Sequence, residues 1–162
     1  MKNLNIYADP AFHPMTIGLA SDISKWKYEP PYDLYNHDEG SSDELLCGDC
    51  FAGIVNDDLV GYLNFGQDAR IPTVEKDVYT DDFIDIGLGL RPDICGRGFG
   101  LEFLLKAIGF ASVQYGTNRF RLSVAAFNER AIKVYKKAGF EIRREVTHAL
   151  AGKIFFIMEL LH

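Results

Sequence analysis

Apolar residues recur along this chain at two periods, and the switches between them mark out its elements. Residues 3–7 alternate apolar and polar side chains, the period of a strand. Over 14–27 the spacing becomes helical: Ile17, Ala20, Ile23 and Trp26 share a face, and Pro14 suits a first helical position. The following Tyr28-Glu29-Pro30-Pro31-Tyr32-Asp33-Leu34-Tyr35 ends that helix, because its prolines push the backbone into extended conformations. One helical turn is predicted over 43–47. Residues 51–55 and 59–65 flank Asn56-Asp57-Asp58 and read as a hairpin. Residues 66–79 are polar and irregular, and 83–90 read as a strand with Ile84, Ile86, Leu88 and Leu90 on one face.

Beyond Pro92 a glycine run, Gly96-Arg97-Gly98-Phe99-Gly100, opens a long helix to about residue 116. Its Leu101, Leu104, Leu105, Ile108 and Ala111 repeat at helical spacing. A strand over 120–125 follows, then a helix that Asn128 caps and Gly139 ends. Residues 140–146 and 153–160 close the chain as two strands. Strand and helix alternate in the middle and hairpins stand at both ends, which gives a mixed α/β sheet. No repeat or linker divides the chain, so a single domain over 1–162 is expected.

Composition narrows the function classes. With 48% hydrophobic and 25% charged residues the chain has ordinary globular usage. Its 17 basic against 23 acidic residues leave a net charge of −6. That speaks against a general nucleic-acid binder, which needs a basic stripe to displace counterions, and it suits a cationic acceptor. No apolar run approaches the ~20 residues of a membrane helix, and the first residues carry no secretory signal. The three cysteines are an odd count that argues against a disulfide framework. A soluble cytoplasmic protein without membrane or nucleic-acid partners is expected.

The chemistry concentrates in Leu90-Arg91-Pro92-Asp93-Ile94-Cys95-Gly96-Arg97-Gly98-Phe99-Gly100-Leu101. A strand runs through a glycine turn into a helix start, whose N–H groups and dipole make an anion site. Arg97 adds a cation with up to five donors, and Arg91 stands on the other side. Phosphate or pyrophosphate is the natural guest. The spacing does not meet the G-x-G-x-x-G dinucleotide fingerprint, since the third glycine falls on Leu101 or Phe103, and no Walker loop occurs. A turn that only packs helix against sheet is the alternative.

The run Cys95-Gly96-Arg97-Gly98-Phe99-Gly100 resembles the acyl-CoA loop, Q/R-x-x-G-x-G/A, of the GCN5-related N-acetyltransferase (GNAT) superfamily. Asn128-Glu129-Arg130-Ala131-Ile132-Lys133-Val134-Tyr135-Lys136-Lys137-Ala138-Gly139-Phe140 matches that family's N-x-x-A-x-x-x-Y-x-x-x-G-F block. The region from Trp26 to Tyr32 also looks like the first-helix region of bacterial members, so the likeness covers about 15–148. It implies an α/β (α+β) fold with a mixed, largely antiparallel central sheet of about six to seven strands and helices on both faces. It further implies an N-acetyltransferase that uses acetyl-CoA as co-substrate, needs no metal, and acts on a small-molecule or peptide amine. Residues Ile94, Cys95, Gly96, Arg97, Gly98, Phe99 and Gly100 would hold the pyrophosphate. Backbone near Leu88 and Leu90 would meet the acetyl carbonyl, and Asn128 would touch the CoA arm. Cys95 departs from the usual Gln or Arg, so one side-chain contact is lost, and the residue is either a small spacer or a reactive thiol.

Transfer to an amine needs a neutral nucleophile and a proton for the leaving thiolate. A lysine-type amine (pKa ~10.4) is about 99.9% protonated at pH 7, whereas an α-amino group (pKa near 8) starts far closer to neutral. Tyr135, which the resemblance sets facing the CoA sulfur, is the candidate general acid; packing beside Ala131 and Ile132 is its alternative. Asp85, on the strand leading to the loop, is the candidate base through a water, with a solvated strand carboxylate as its alternative. Glu29 and His148 are weaker rivals. Glu29 and Tyr32, with Tyr28, Tyr35 and Asp33, could instead line a wall for a cationic amine. Cys47-Gly48-Asp49-Cys50 lacks the second ligand pair zinc needs and reads as chance spacing. A catalytically inactive acyl-CoA-binding regulatory module, or a phosphosugar- or nucleotide-binding domain, would use the same loop. The apolar residues 154–158 would support a homodimer if that strand lies at a sheet edge.

Overall fold

A computed structural model describes residues 9–37, 41–46 and 48–161. Its elements are β1 (Ala11–Pro14), α1 (Ile17–Ser24), β2 (Cys50–Val55), β3 (Asp58–Phe65), β4 (Ile84–Leu90), α2 (Phe99–Tyr115), β5 (Phe120–Ala125), α3 (Glu129–Lys137), β6 (Glu141–Thr147) and β7 (Ile154–Leu160). The strands form a seven-stranded mixed sheet, mostly antiparallel, in the order β1-β2-β3-β4-β5-β7-β6. Strands β4 and β5 pair in parallel.

Most elements fall where the periodicity puts them, and the differences have local causes. The strand expected over 3–7 lies outside the described residues. Pro14 ends β1, pairing with Phe51, and does not open the helix. Helix α1 starts after Thr16, whose hydroxyl accepts from the Leu19 N–H at 3.2 Å, so a side-chain cap sets the boundary. The expected turn over 43–47 is a 3-10 helix, Ser41–Leu46, and Cys47 lies outside the described residues. The hairpin between β2 and β3 turns on Asn56 and Asp57, with φ of 48° and 66°, the left-handed pair that a two-residue turn requires.

The chain forms two compact units, each drawn from two stretches of sequence. The first is Met1–Asn64 with Leu88–Phe103. In it Ala20, Ile23 and Leu45 form a buried cluster against which Met15, Trp26, Leu59 and Tyr62 pack. Phe103 is fully buried there, edge-on to Phe12 with ring centroids 5.5 Å apart. The second unit is Phe65–Gly87 with Leu104–His162, and its core comprises residues such as Phe120, Leu122, Val124, Phe140 and Met158.

Two glycines let β3 come close to the strand that leads into the glycine loop. A Cβ at Gly61 would stand 2.7 Å from the Gly89 carbonyl oxygen and 2.7 Å from Phe103 Cζ. The first neighbour is backbone and cannot rotate away. Gly61→Ala is therefore expected to cost about 1–3 kcal/mol through overpacking. Urea unfolding checks this, and an unchanged midpoint would show that β3 and β4 separate without loss.

Strand β7 corrects one expectation. It pairs with β5 from Phe120↔Leu160 to Ala125↔Phe155 and with β6 from Glu141↔Glu159 to Thr147↔Ile154. Both of its edges are occupied, so residues 154–158 offer no free ladder to a second copy.

Candidate active site

The segment from β4 into α2 holds the candidate loop. A single 3-10 turn, Pro92–Ile94, follows the strand, with the Ile94 N–H donating to the Arg91 carbonyl at 3.1 Å. Ile94 is buried and anchors the turn, whereas Gly96, Arg97 and Gly98 are exposed. Gly96 and Gly98 take φ of 77° and 81°, left-handed conformations that account for glycine at both positions. A Cβ at Gly98 would meet nothing within 4 Å, so space stands open beside this backbone. Phe99 then buries its ring and starts the 17-residue α2, whose N-terminal end carries the positive pole of its dipole. Exposed left-handed glycines, an exposed guanidinium and a long helix start suit an anionic group.

Arg91 departs from expectation. Its Nε and Nη2 donate to the two carboxylate oxygens of Asp93 at 2.6 and 3.2 Å, and its Nη1 donates to the Leu59 carbonyl at 2.9 Å. The hydrogen bond from Arg91 is the main reason that the Asp93 carboxyl is held below its usual pKa. Arg91 is thus committed to holding β3 and the loop, and Arg97 is the cation left to face an anion. The spacing Arg91-x-Asp93 was a legible signal for this pair.

Cys95 carries a half-buried thiol whose Sγ points to the Leu90 and Arg91 carbonyls at 3.7 and 3.5 Å. That orientation fits the spacer reading. The Leu90 carbonyl also accepts from the Tyr28 hydroxyl at 2.6 Å, a contact across 62 residues that no local pattern announces. Burial raises the Tyr28 phenol well above its ordinary pKa, and it pushes Tyr62 up to about 12. Tyr28 is half-buried, and its hydroxyl is engaged by the Leu90 carbonyl. Leu88 and Leu90 are half-buried, Glu29 is exposed and Tyr32 is half-buried.

The remaining candidates lie in the second unit. Asp85, the candidate base through a water, is 2% exposed and so is not the solvated strand carboxylate of the alternative reading. Arg121 Nε donates to Oδ1 at 2.6 Å, and Arg121 Nη2 and Arg70 Nε each donate to Oδ2 at 2.8 Å. The cause is strand register: Asp85 stands beside Arg121 in the parallel β4–β5 pair. Arg121 is 1% exposed and also donates to the Thr80 carbonyl and hydroxyl at 2.8 and 3.1 Å. Burial works against its charge, but the hydrogen bonds and charge of Asp85 outweigh that and raise its pKa. With both oxygens engaged by guanidinium groups, Asp85 is poorly placed to collect a proton.

Asn128 caps α3, its Oδ1 accepting from the Ala131 N–H at 3.2 Å. Tyr135 is half-buried on α3 and lies edge-on to Phe140 with centroids 6.2 Å apart. His148 Nδ1 accepts from the Leu150 and Ala151 N–H groups at 3.2 and 3.1 Å, which commits it to the β6–β7 turn. Cys50 is disulfide-bonded, and Cys47, the other cysteine of the C-x-x-C, lies outside the described residues. Among the described residues no group of three or more His, Cys, Asp or Glu could hold a metal, and no helix is long and apolar enough to cross a membrane.

Comparison with known proteins adds three findings. The family model described as acetyltransferase (GNAT) domain matches residues 7–141. The uncharacterized protein ML0378 of Mycobacterium leprae (strain TN) is 32% identical over 93 residues, which cover 57% of this chain and 23% of that protein. The chain thus spans about a quarter of that relative's length. Among solved structures, the aminoglycoside acetyltransferase AAC(6')-Ib in complex with paromomycin and acetyl-CoA superposes with a TM-score of 0.74 at 16% identity, covering 95% of this chain and 94% of the other. The aminoglycoside N(6')-acetyltransferase of Legionella pneumophila superposes at 0.69 with 22% identity, covering 98% and 95%. At these identities the structures share the fold.

Proposed function

The chain belongs to the acetyltransferase (GNAT) family, and from that premise we propose that it moves the acetyl group of acetyl-CoA to a primary amine of a small-molecule or peptide acceptor. The observation that carries this reading is the exposed glycine loop with its left-handed Gly96 and Gly98, the exposed Arg97 and the start of α2 behind it. Acetyl-CoA supplies the activated acyl group. The backbone from Ile94 to Gly100 and the Arg97 guanidinium hold its pyrophosphate, and Asn128 meets its arm. Backbone at Leu88 and Leu90 orients the acetyl carbonyl for attack. Alignment of this kind replaces up to ~7–11 kcal/mol of the entropic barrier in the best intramolecular cases.

Tyr135 holds its proton on the phenol oxygen and gives it to the departing thiolate. The amine proton goes to water, since the Asp85 oxygens are committed to Arg121 and Arg70. Glu29 and Tyr32 face the acceptor, where a carboxylate and an aromatic ring together suit a cationic amine. The roles of the loop, Asn128 and Tyr135 rest on the matched family blocks, and those of Glu29 and Tyr32 rest on their chemistry.

The test begins with acetyl-CoA alone. At one hundred times the dissociation constant a ligand of the native state adds about 2.7 kcal/mol, read as a rise in unfolding temperature. A panel of a polyamine, an aminoglycoside and a peptide with a free N-terminus is then screened for thiol release. Binding with turnover on one amine is the expected result. Binding with no turnover on any amine favours an acyl-CoA-responsive regulatory module, and absence of binding overturns the proposal.

A further inference from the structure

The peptide that joins β4 to the glycine loop is held at both of its polar ends by residues outside the loop. Its carbonyl, on Leu90, accepts from the Tyr28 hydroxyl at 2.6 Å, and its N–H, on Arg91, donates to the Val60 carbonyl at 2.8 Å. Tyr28 is itself fixed: its N–H donates to Asn36 Oδ1 at 2.6 Å, and Asn36 Nδ2 donates back to its carbonyl at 3.5 Å. The neighbouring peptide is restrained by packing, since a Cβ at Gly89 would fall 2.3 Å from Tyr62 Cε1. Tyr62 in turn packs against the Trp26 and His37 rings at 6.2 and 5.9 Å. Every one of these partners lies in the first unit, and none belongs to the matched loop motif.

We infer that Tyr28 is a positioning residue: its hydroxyl sets the plane of the Leu90–Arg91 peptide and thereby the direction in which the loop leaves β4. The inference rests on the proposed function for its consequence, because a loop aimed by Tyr28 is preorganised for the pyrophosphate. The Leu90 carbonyl has one strong donor, with the Cys95 thiol at 3.7 Å a weak second. Remove the hydroxyl and the peptide can rotate about its flanking bonds. The Arg91 carbonyl, one residue further along, is the acceptor for the Ile94 N–H, so that rotation reaches the loop's single turn. Burial holds the phenol protonated well past its ordinary range, so the donor persists at every working pH.

The experiment compares Tyr28→Phe with the wild type in the full chain. Amide hydrogen exchange without ligand is read at Arg91, Ile94 and Cys95, with Ala20 and Ile23 as controls in α1. Exchange at Arg91 and Ile94 is expected to rise about tenfold while the controls stay unchanged. KM for acetyl-CoA should rise about five- to tenfold, the usual yield of one lost hydrogen bond, with KM for the amine unaltered. Unchanged protection at Arg91 overturns the inference whatever the kinetics. Faster exchange with an unchanged KM for acetyl-CoA overturns the loop-positioning role. If the wild type fails to bind acetyl-CoA, the proposed function falls, and the exchange rates at Ile94 and Cys95 still decide whether Tyr28 aims the loop. General loosening, with the controls exchanging faster as well, also counts against it.

Discussion

Asp85→Asn is expected to lower the unfolding free energy by about 3–5 kcal/mol, because it leaves two guanidinium groups without their shared counter-charge. The carboxylate and Arg121 are 2% and 1% exposed, so water cannot replace the missing acceptor without opening the fold. Arg70 and Arg121 also stack on Tyr79, at 5.3 and 5.1 Å from its ring centroid, and the Tyr79 hydroxyl bridges the Ile71 N–H and Ser123 Oγ at 3.1 and 2.6 Å. The loop between β3 and β4 is therefore fastened through the same charges that would be unbalanced. For a chain of this size the loss corresponds to a fall in Tm of roughly 6–20 °C, read by calorimetry. Replacing the pair together, as Asp85→Leu with Arg121→Met, should recover much of it, since both fully buried charges go and the Arg70 that remains is 24% exposed and lies 3.8 Å from Asp81. A folded Asp85→Asn protein with wild-type Tm and lost turnover would restore the base role that the ion pair argues against.

Tyr135→Phe is expected to reduce turnover by about 10²–10⁴-fold, the range for loss of a positioned general acid. Stability should hardly change, because phenylalanine keeps the edge-on contact with Phe140, and the Tyr135 carbonyl still accepts from the Ala138 and Phe140 N–H groups at 3.1 and 3.0 Å. Acetyl-CoA affinity should stay within about twofold, since in the proposed role the hydroxyl meets the leaving sulfur and not the pyrophosphate. Steady-state kinetics with thiol detection, paired with calorimetric binding, separates these terms. Full activity in the variant removes Tyr135 from the chemistry, whereas joint loss of affinity and turnover would make it a binding residue.

The features that were legible share one property: each is decided within a few residues. Asn56 and Asp57 carry positive φ because short polar side chains tolerate it in a two-residue turn. Asn128 caps α3 through a bond to a residue three positions on, and Gly139 follows that helix with φ of 105°. Gly96 and Gly98 declare a backbone that only glycine adopts freely. Spacing predicts α1 too long because Pro14 serves a strand end as well as a first turn, and spacing alone does not choose between them.

What stayed hidden depends on partners far along the chain. The burial of Asp85 follows from β5 lying beside β4, which sets Arg121 next to it; by periodicity alone Asp85 is merely the residue between two isoleucines. Strand β7 looked like a possible edge from its apolar composition, yet its insertion between β5 and β6 pairs it on both sides. Arg91 was legible as a cation but not as one already spent on Asp93 and the Leu59 carbonyl. By sequence Tyr28 is one of an aromatic and acidic cluster beside two prolines that could line a wall for a cationic amine, and the fold carries its hydroxyl to the Leu90 carbonyl. Sequence by itself thus determined turns, caps, the glycine loop and the family blocks, because φ preference and hydrogen-bond reach act over three or four positions. Which charges are neutralised, which edges are closed and which side chain aims the loop were decided by tertiary structure alone, because strand order selects neighbours that residue spacing does not specify.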